Sequence, residues 1–225
     1  MDEPEELDLS TLRRFMVDLI AAYAQLSVEQ TSKDCLDDRV MAAMARVPRH
    51  HFVPVEMQGF AYADGPLPIG CGKTISQPFM VALMTDLLAI EEDDRVLEIG
   101  TGLGYHAAIL AELAVQIFSV EIVEELAESA QRRLEKAGYD NIEFRTGNGY
   151  YGWPDHGPFN KIVVASACEL MPPPLLEQLK PGGRMVIPCG LPQQQHLLLV
   201  EKSLAGRIKT REIMPVIFAP MIISH

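Results

Sequence analysis

Cysteine is scarce in this sequence, and no group of potential metal ligands stands out. The four cysteines, which lie far apart and form no Cys-x-x-Cys pair, are Cys35, Cys71, Cys168 and Cys189. His50 and His51 are adjacent, so they point to different sides of any regular element, and no other histidine follows at a ligand spacing. We therefore predict neither a disulfide framework nor a metal site.

Basic clusters and long apolar runs are also absent. The 225 residues carry a formal net charge of −12, and because phosphate binding requires clustered Lys and Arg, no nucleic-acid partner is expected. Apolar runs such as residues 197–200 fall far short of the roughly 20 residues that a membrane span needs. The chain begins with an acidic stretch where a secretory signal would be basic and then apolar. These features predict a cytoplasmic protein without membrane contacts; the oligomeric state stays open, with a monomer favoured.

From residue 95 onward the sequence alternates regularly between strand and helix patterns. The predicted strands are residues 95–99, 116–120, 141–145, 161–165 and 184–188, and the helices between them are residues 105–113 and 123–137. Such alternation is typical of a parallel sheet with helices on both faces. Residues 196–202 and 207–213 then flank a turn and predict an antiparallel hairpin at the end of the sheet.

The first ninety residues follow a different pattern. Helical periodicity covers residues 12–26, 37–44 and 78–88, and residues 48–73 form a loop that contains Pro and Gly. No linker or repeat separates this segment from the sheet, so residues 1–225 are predicted to form one domain. We predict a doubly wound, mostly parallel α/β sheet (91–225) with an N-terminal helical cap (1–90) and a C-terminal antiparallel hairpin.

The strongest chemical signal is a glycine-rich loop between the first strand and its helix, in residues 96–105 (VLEIGTGLGY). Gly100, Gly102 and Gly104 would let backbone N–H groups and a helix N-terminus approach a ligand closely. A dinucleotide fingerprint needs its third glycine one residue later, where Tyr105 stands, so a nicotinamide cofactor is disfavoured. Without the strand and helix around it, the same loop would indicate only a tight turn.

Two acidic residues accompany this loop. Glu121 follows the second predicted strand, about 20 residues past the loop, where a carboxylate can accept both hydroxyls of a ribose. Glu98, at the end of the first strand, would repel a pyrophosphate but attract a ligand that carries an ammonium or sulfonium charge. The combination indicates an adenosyl cofactor without a pyrophosphate.

These residues resemble the protein-L-isoaspartate O-methyltransferase family over nearly the whole chain, residues 36–222. The matching blocks are residues 47–54 (VPRHHFVP), 67–70 (LPIG), 73–78 (KTISQP), 96–102 (VLEIGTG), 147–153 (GNGYYGW), 158–159 (PF), 179–183 (LKPGG), 186–188 (VIP) and 218–221 (FAPM). The KTISQP block, directly ahead of a helix and the glycine loop, is the most specific. The resemblance implies a Rossmann-like methyltransferase fold and methyl transfer from S-adenosylmethionine to the free α-carboxylate of isoaspartyl residues in damaged proteins and peptides.

The resemblance also implies which residues form the site. Ser76 would carry the catalytic role, with the Thr74 hydroxyl and the N-terminal N–H groups of the helix near Pro78 also able to hold a carboxylate. The simpler interpretation of Ser76 is a helix cap. The expected cofactor-binding residues are Glu98, Gly100, Thr101, Gly102, Gly104, His106, Glu121 and Asn148. A carboxylate nucleophile needs no general base, which agrees with the lack of a catalytic dyad.

Two positions depart from the family pattern. Asn148 stands where the family has an aspartate that accepts a hydrogen bond from adenine, and His106 stands where glutamine is common. An amide oxygen can still accept, but the charge is lost, so cofactor affinity is open. Two alternatives therefore remain: a carboxylate methyltransferase for a dedicated peptide or protein aspartate, and a non-catalytic S-adenosylmethionine-binding protein.

Overall fold

The computed structural model describes residues 8–223 as helices around one large sheet and one small sheet. The helices are α1 (Leu9–Leu26), α2 (Val28–Thr31), α3 (Asp38–Arg46), α4 (Pro78–Leu88), α5 (Tyr105–Ala111), α6 (Glu124–Lys136) and α7 (Pro173–Gln178). The strands are β1 (Leu67–Gly70), β2 (Lys73–Ile75), β3 (Arg95–Ile99), β4 (Gln116–Glu121), β5 (Ile142–Thr146), β6 (Phe159–Val164), β7 (Leu179–Leu191), β8 (Gln194–Lys202) and β9 (Ile208–Val216).

The large sheet has the strand order β5-β4-β3-β6-β7-β8-β9. Strands β3 to β7 pair in parallel, whereas β8 and β9 pair antiparallel with their neighbours. This arrangement confirms the predicted doubly wound sheet with an antiparallel hairpin at its end. The parallel strands bring the carboxyl ends of β3, β4 and β6 together at one edge, where ligands bind in open α/β sheets.

Side chains of the central parallel strands β3, β4 and β6 are buried on both faces of the sheet. Val96 and Ile117 contact one apolar cluster that also includes α1, α3, α4 and α5. Leu97 and Phe118, which point the opposite way, belong to a second cluster on the α7 side. Burial on both faces explains why the strands are continuous apolar runs instead of alternating polar and apolar residues. It also places the cap helices directly against the sheet.

The predicted loop at residues 48–73 is more structured than the sequence indicated. It contains short 3₁₀ turns at Arg49–Phe52 and Val55–Phe60, and its end forms an antiparallel hairpin of β1 and β2. Gly70, Cys71 and Gly72 form the turn with positive φ angles of 92°, 51° and 66°. Proline and glycine, which normally indicate loops, here sit in a very short two-stranded element.

The strand prediction for β7 was too short. β7 extends from Leu179 to Leu191, so residues 179–183, with their proline and two glycines, belong to the strand. A register irregularity in its pairing with β6 accommodates this segment, and β8 returns directly alongside β7. The division of the chain into a cap and a sheet within one domain remains a prediction.

Candidate active site

A cavity of about 530 Å³ lies at the carboxyl ends of β3 and β4, between the sheet and the cap. Its wall combines segments that are far apart in sequence, chiefly from residues 23–30, 66–80 and 214–222, with the glycine loop and the end of β4 beneath them. Of the predicted site residues, the wall includes Thr74, Ser76, Gly100, Gly102 and Glu121. These five side chains or backbone groups can therefore contact one bound ligand or two adjacent ligands.

The glycine loop reaches the cavity through a backbone conformation that favours glycine. Gly100 has φ of +94° and Gly102 has φ of +57°, and both lie on the wall. A Cβ atom on Gly102 would stand 3.2 Å from Cδ1 of Ile69 in the β1–β2 hairpin. The absence of a side chain thus lets the hairpin close over the loop while leaving backbone surface for a ligand.

Gly104 serves helix packing instead of the cavity wall. It precedes α5 with φ of +93°, and an added Cβ would lie 2.7 Å from Cδ1 of Leu134 in α6. Its predicted contact with a cofactor has no support in this geometry, because the residue faces a neighbouring helix.

Glu121 braces the glycine loop from the end of β4. One carboxylate oxygen, Oε2, accepts a hydrogen bond from Gly102 N at 2.8 Å, and Oε1 accepts from Ile122 N and Val123 N at 2.9 and 3.0 Å. Carboxylate oxygens have further lone pairs, so the group can also accept ribose hydroxyls. A braced carboxylate beside side-chain-free loop backbone fits the adenosyl group that the sequence predicts.

Ser76 and Thr74 line a second part of the cavity wall, where β2 leads into α4. Ser76 is half-buried, and its hydroxyl makes no hydrogen bond within residues 8–223. Gln77, not Ser76, is the N-cap residue of α4, and Pro78 occupies the first turn. The capping interpretation of Ser76 therefore has no support. Its hydroxyl is available to a ligand.

The first turn of α4 adds backbone donors to this wall. Val81 N donates to the Gln77 carbonyl, and the N–H groups before it, on Phe79 and Met80, have no helical acceptor. Phe79 and Met80 both line the cavity. An N-terminus of this kind favours an anion through its N–H groups and the helix dipole.

Glu98 and Thr101 lie behind the wall instead of on it. Glu98 is fully buried, accepts a hydrogen bond from the Ser119 hydroxyl, and burial raises the pKa of its carboxyl to about 8. Thr101 Oγ1 lies 2.6 Å from Ser119 Oγ in the same cluster. In this structure Glu98 supports the loop from behind through Ser119, and a direct contact with a cofactor stays a prediction.

His106 and Asn148 are also absent from the cavity lining. His106 Nε2 lies 3.0 Å from Thr85 Oγ1, and burial lowers the pKa of the imidazole to about 4. Asn148 Oδ1 accepts from Tyr150 N at 3.0 Å, and its neighbour Gly149 reaches the wall. His106 is thus a neutral packing residue in this structure. A direct cofactor contact of Asn148 stays a prediction.

The sequence did not indicate how the N-terminal segment contributes to the cavity. Tyr23, at the end of α1, lines the wall, and its ring packs against Phe79 with centroids 5.4 Å apart. Asp64 joins Tyr23 to Gln77, accepting from the Tyr23 hydroxyl and from Gln77 Nε2, each at 2.7 Å. The helical cap therefore forms part of the site.

The C-terminal segment 214–222 forms another wall that the sequence did not assign. Gln195 holds it through both ends of its amide: Nε2 donates to the Phe218 carbonyl at 3.1 Å, and Oε1 accepts from Phe218 N at 2.7 Å. Ala167 pairs with the same segment through Met221 N and the Ala219 carbonyl. The FAPM block at residues 218–221 matched the family, but no local pattern indicated its position over the cavity.

Comparison with known proteins settles the family. The model of the family Protein-L-isoaspartate(D-aspartate) O-methyltransferase matches residues 24–224. The chain belongs to this family. A protein named Protein-L-isoaspartate O-methyltransferase 1 from Polaromonas sp. is 55% identical over 97% of this chain and 92% of its own length. A second such relative, Protein-L-isoaspartate O-methyltransferase 2 from Syntrophobacter fumaroxidans, is 55% identical over 95% of this chain and 87% of its own.

Solved structures agree with the fold. One named protein-L-isoaspartate O-methyltransferase has a TM-score of 0.79 and 27% identity over 92% of this chain, which spans 65% of that longer chain. A putative family member from Plasmodium falciparum, solved with S-adenosyl-L-homocysteine, has a TM-score of 0.77 and 21% identity over 96% of this chain and 99% of its own.

Residues 8–223 contain neither a membrane-spanning helix nor a cluster of metal ligands. Every helix in that range is too short or too polar to span a bilayer. No group of three or more His, Cys, Asp or Glu residues there is arranged to hold a metal ion.

Glu98→Gln is expected to change how stability depends on pH. Because burial raises the pKa of Glu98 to about 8, the folded state retains a proton that an unfolded glutamate releases near its ordinary pKa of about 4.3. The contribution of Glu98 to the free energy of unfolding therefore falls as the pH rises from the unfolded pKa to the folded pKa. Urea unfolding at about pH 6.5 and about pH 8.5 should show wild type losing stability relative to Glu98→Gln. The exposed Glu128→Gln is the control, and parallel pH profiles for wild type and Glu98→Gln would contradict the assignment.

Proposed function

We propose that this protein transfers a methyl group from S-adenosylmethionine to the free α-carboxylate of L-isoaspartyl residues in damaged proteins and peptides. The observation that carries the proposal is one cavity with two chemically different walls. The free Ser76 hydroxyl and the first N–H groups of α4 form one wall, and the glycine loop braced by Glu121 forms the other. Membership of the isoaspartate methyltransferase family supports this pairing of a carboxylate site with an adenosyl site.

The glycine-loop wall would hold the cofactor. Glu121 would accept the ribose hydroxyls, while Gly100 and Gly102 leave room for the backbone to contact the ligand closely. When bound, S-adenosylmethionine supplies an electrophilic methyl group on a positively charged sulfur. Because Glu121 is already fixed by three backbone N–H groups, it need not reorder when the ribose binds.

The Ser76 wall would hold the substrate carboxylate. An α-carboxyl group with an ordinary pKa of about 3.5 is ionised at neutral pH, so the site needs donors that orient it and no base that deprotonates it. Ser76 Oγ–H and the N–H groups of Phe79 and Met80 can supply those donors. Holding the carboxylate oxygen in line with the methyl group can contribute several of the roughly 7–11 kcal/mol available from proximity.

Lys73 offsets the acidity of the protein at the site itself. The net charge of −12 repels an anionic substrate, but the charged side chains of the described lining are Lys73 and Glu121. The Glu121 carboxylate accepts three backbone hydrogen bonds at the glycine loop, whereas Lys73 makes no ion pair within residues 8–223. The ammonium group therefore provides a local positive field for the incoming carboxylate.

A pair of peptides that differ only in one linkage tests the proposed function. The isoaspartyl peptide should be converted to its methyl ester in the presence of S-adenosylmethionine, and the normal aspartyl peptide should not. Modification of the aspartyl peptide alone would instead identify an enzyme for a dedicated carboxylate. Calorimetric binding of S-adenosylmethionine without esterification of either peptide would identify a non-catalytic binding protein.

Ser76→Ala should lower kcat on the isoaspartyl peptide by roughly tenfold or more, because one donor to the carboxylate is lost while the cofactor wall stays intact. Steady-state kinetics and calorimetry with S-adenosylmethionine measure the two effects separately. Ser203→Ala, in the β8–β9 turn away from the cavity, is the matched control. An equal loss of cofactor binding in Ser76→Ala would show that the residue supports the fold instead.

Lys73→Met should raise KM for the isoaspartyl peptide by roughly threefold to tenfold, with little change in kcat. The reason is that the lysine attracts the bound substrate and the transition state equally. The increase should shrink as salt concentration rises, since screening weakens the field of a charge that is only half-buried. Lys209→Met removes an exposed lysine from β9 and serves as control. Equal KM values for Lys73→Met and wild type at low salt would exclude this electrostatic role.

A further inference from the structure

Arg49 is a buried cation directly beneath the Ser76 wall. Its side chain is 0% exposed, and it begins the 3₁₀ turn Arg49–Phe52. Its Nη2 donates to the Ser76 carbonyl at 2.7 Å, and its Nε donates to the Ala61 carbonyl at 2.8 Å. The guanidinium fork therefore fixes two loop carbonyls at once, one of which belongs to the proposed substrate-binding serine.

The same guanidinium also contacts the cofactor side of the molecule. Its central carbon lies 4.8 Å from the ring centroid of Tyr105, which is 2% exposed. Tyr105 is the first residue of α5 and immediately follows the glycine loop. Arg49 thus lies between the backbone of Ser76 and the start of the helix that the loop leads into.

Fold stability alone does not explain an arginine at this position. Arg49 makes no ion pair within residues 8–223, and its Nη1 atom is buried without a hydrogen-bond partner. Burial lowers the pKa of the guanidinium to about 10, which still leaves it protonated at neutral pH. A buried, unpaired charge is costly, and apolar residues of similar volume are often as stable or more stable in such places. The two carbonyl hydrogen bonds of the guanidinium point instead to a role in fixing the local geometry.

We propose that Arg49 is a positioning residue, which holds the Ser76 carbonyl so that the Ser76 hydroxyl keeps a fixed place opposite the glycine loop. The inference rests on the proposed function, because it takes Ser76 as the group that contacts the substrate carboxylate. Lysine cannot replace the fork, since a single ammonium lacks the rigid, planar arrangement that serves two carbonyls and an aromatic face together.

A double-mutant cycle of Arg49 with Ser76 tests this proposal. Arg49→Lys should lower kcat on the isoaspartyl peptide by roughly fivefold to tenfold, while the Kd for S-adenosylmethionine changes less than about twofold. In the Ser76→Ala background, Arg49→Lys should lower kcat by less than about twofold, because the hydroxyl that it positions is already gone. Arg46→Lys, which changes an exposed arginine paired with Glu112, is the matched control and should leave kcat unchanged.

Rates are normalised to the folded fraction, taken from the stoichiometry of S-adenosylmethionine binding. Tyr105→Leu provides a second variant if Arg49→Lys folds poorly; it removes the ring beneath the guanidinium and should give a smaller kcat loss that also vanishes in Ser76→Ala. Additive losses, or an unchanged kcat in Arg49→Lys, would overturn the positioning role while leaving the proposed function intact. A wild-type protein that binds S-adenosylmethionine but does not esterify the isoaspartyl peptide would overturn both.

Discussion

The hydrogen bond between the Glu121 carboxylate and Gly102 N, at 2.8 Å, joins the two strands on which the site depends. Glu121 ends β4 and Gly102 follows β3, so this bond fixes the glycine loop relative to the edge of the sheet. The loop can adopt this shape because glycine tolerates the positive φ angles at residues 100 and 102. The β1–β2 hairpin then closes over the loop, and the cavity forms between them. The proposed contacts with the cofactor and with the substrate both depend on this fixed edge.

The proposed role of the Ser76 wall explains how an acidic protein can bind an anion. At physiological ionic strength charges are screened beyond a distance of about 8 Å, so most surface carboxylates act weakly inside the cavity. Groups that line the cavity decide the local potential: the Lys73 side chain, the N-terminus of α4 and the Ser76 hydroxyl favour an anion, whereas the Glu121 carboxylate opposes one. Arg49 adds a buried positive charge behind Ser76. Because the nucleophile is already ionised, these groups can stabilise and orient it without transferring a proton.

Much of this arrangement follows from local sequence patterns, and the rest depends on long-range packing. Runs of apolar residues predicted the parallel strands. The spacing of the glycines and the acidic residue after the second strand predicted Gly100, Gly102 and Glu121 as site residues, and all three line the cavity. The pattern around Glu98 indicated a charged ligand contact, but burial depends on residues such as Ser119 that pack from another strand. Tyr23 and segment 214–222 reach the cavity through α1, β8 and Gln195, which are distant in sequence, so no local signal marks them. The β1–β2 hairpin was missed because proline and glycine normally interrupt strands.

In the proposed function, one cavity holds both the cofactor and the substrate carboxylate. A crystal structure of the protein with S-adenosyl-L-homocysteine and an isoaspartyl peptide tests it most directly. We expect the ribose hydroxyls on Glu121 and the peptide carboxylate within hydrogen-bond distance of Ser76 Oγ and the first N–H groups of α4. A peptide carboxylate bound away from Ser76, or a nucleoside bound away from Glu121, would contradict the account.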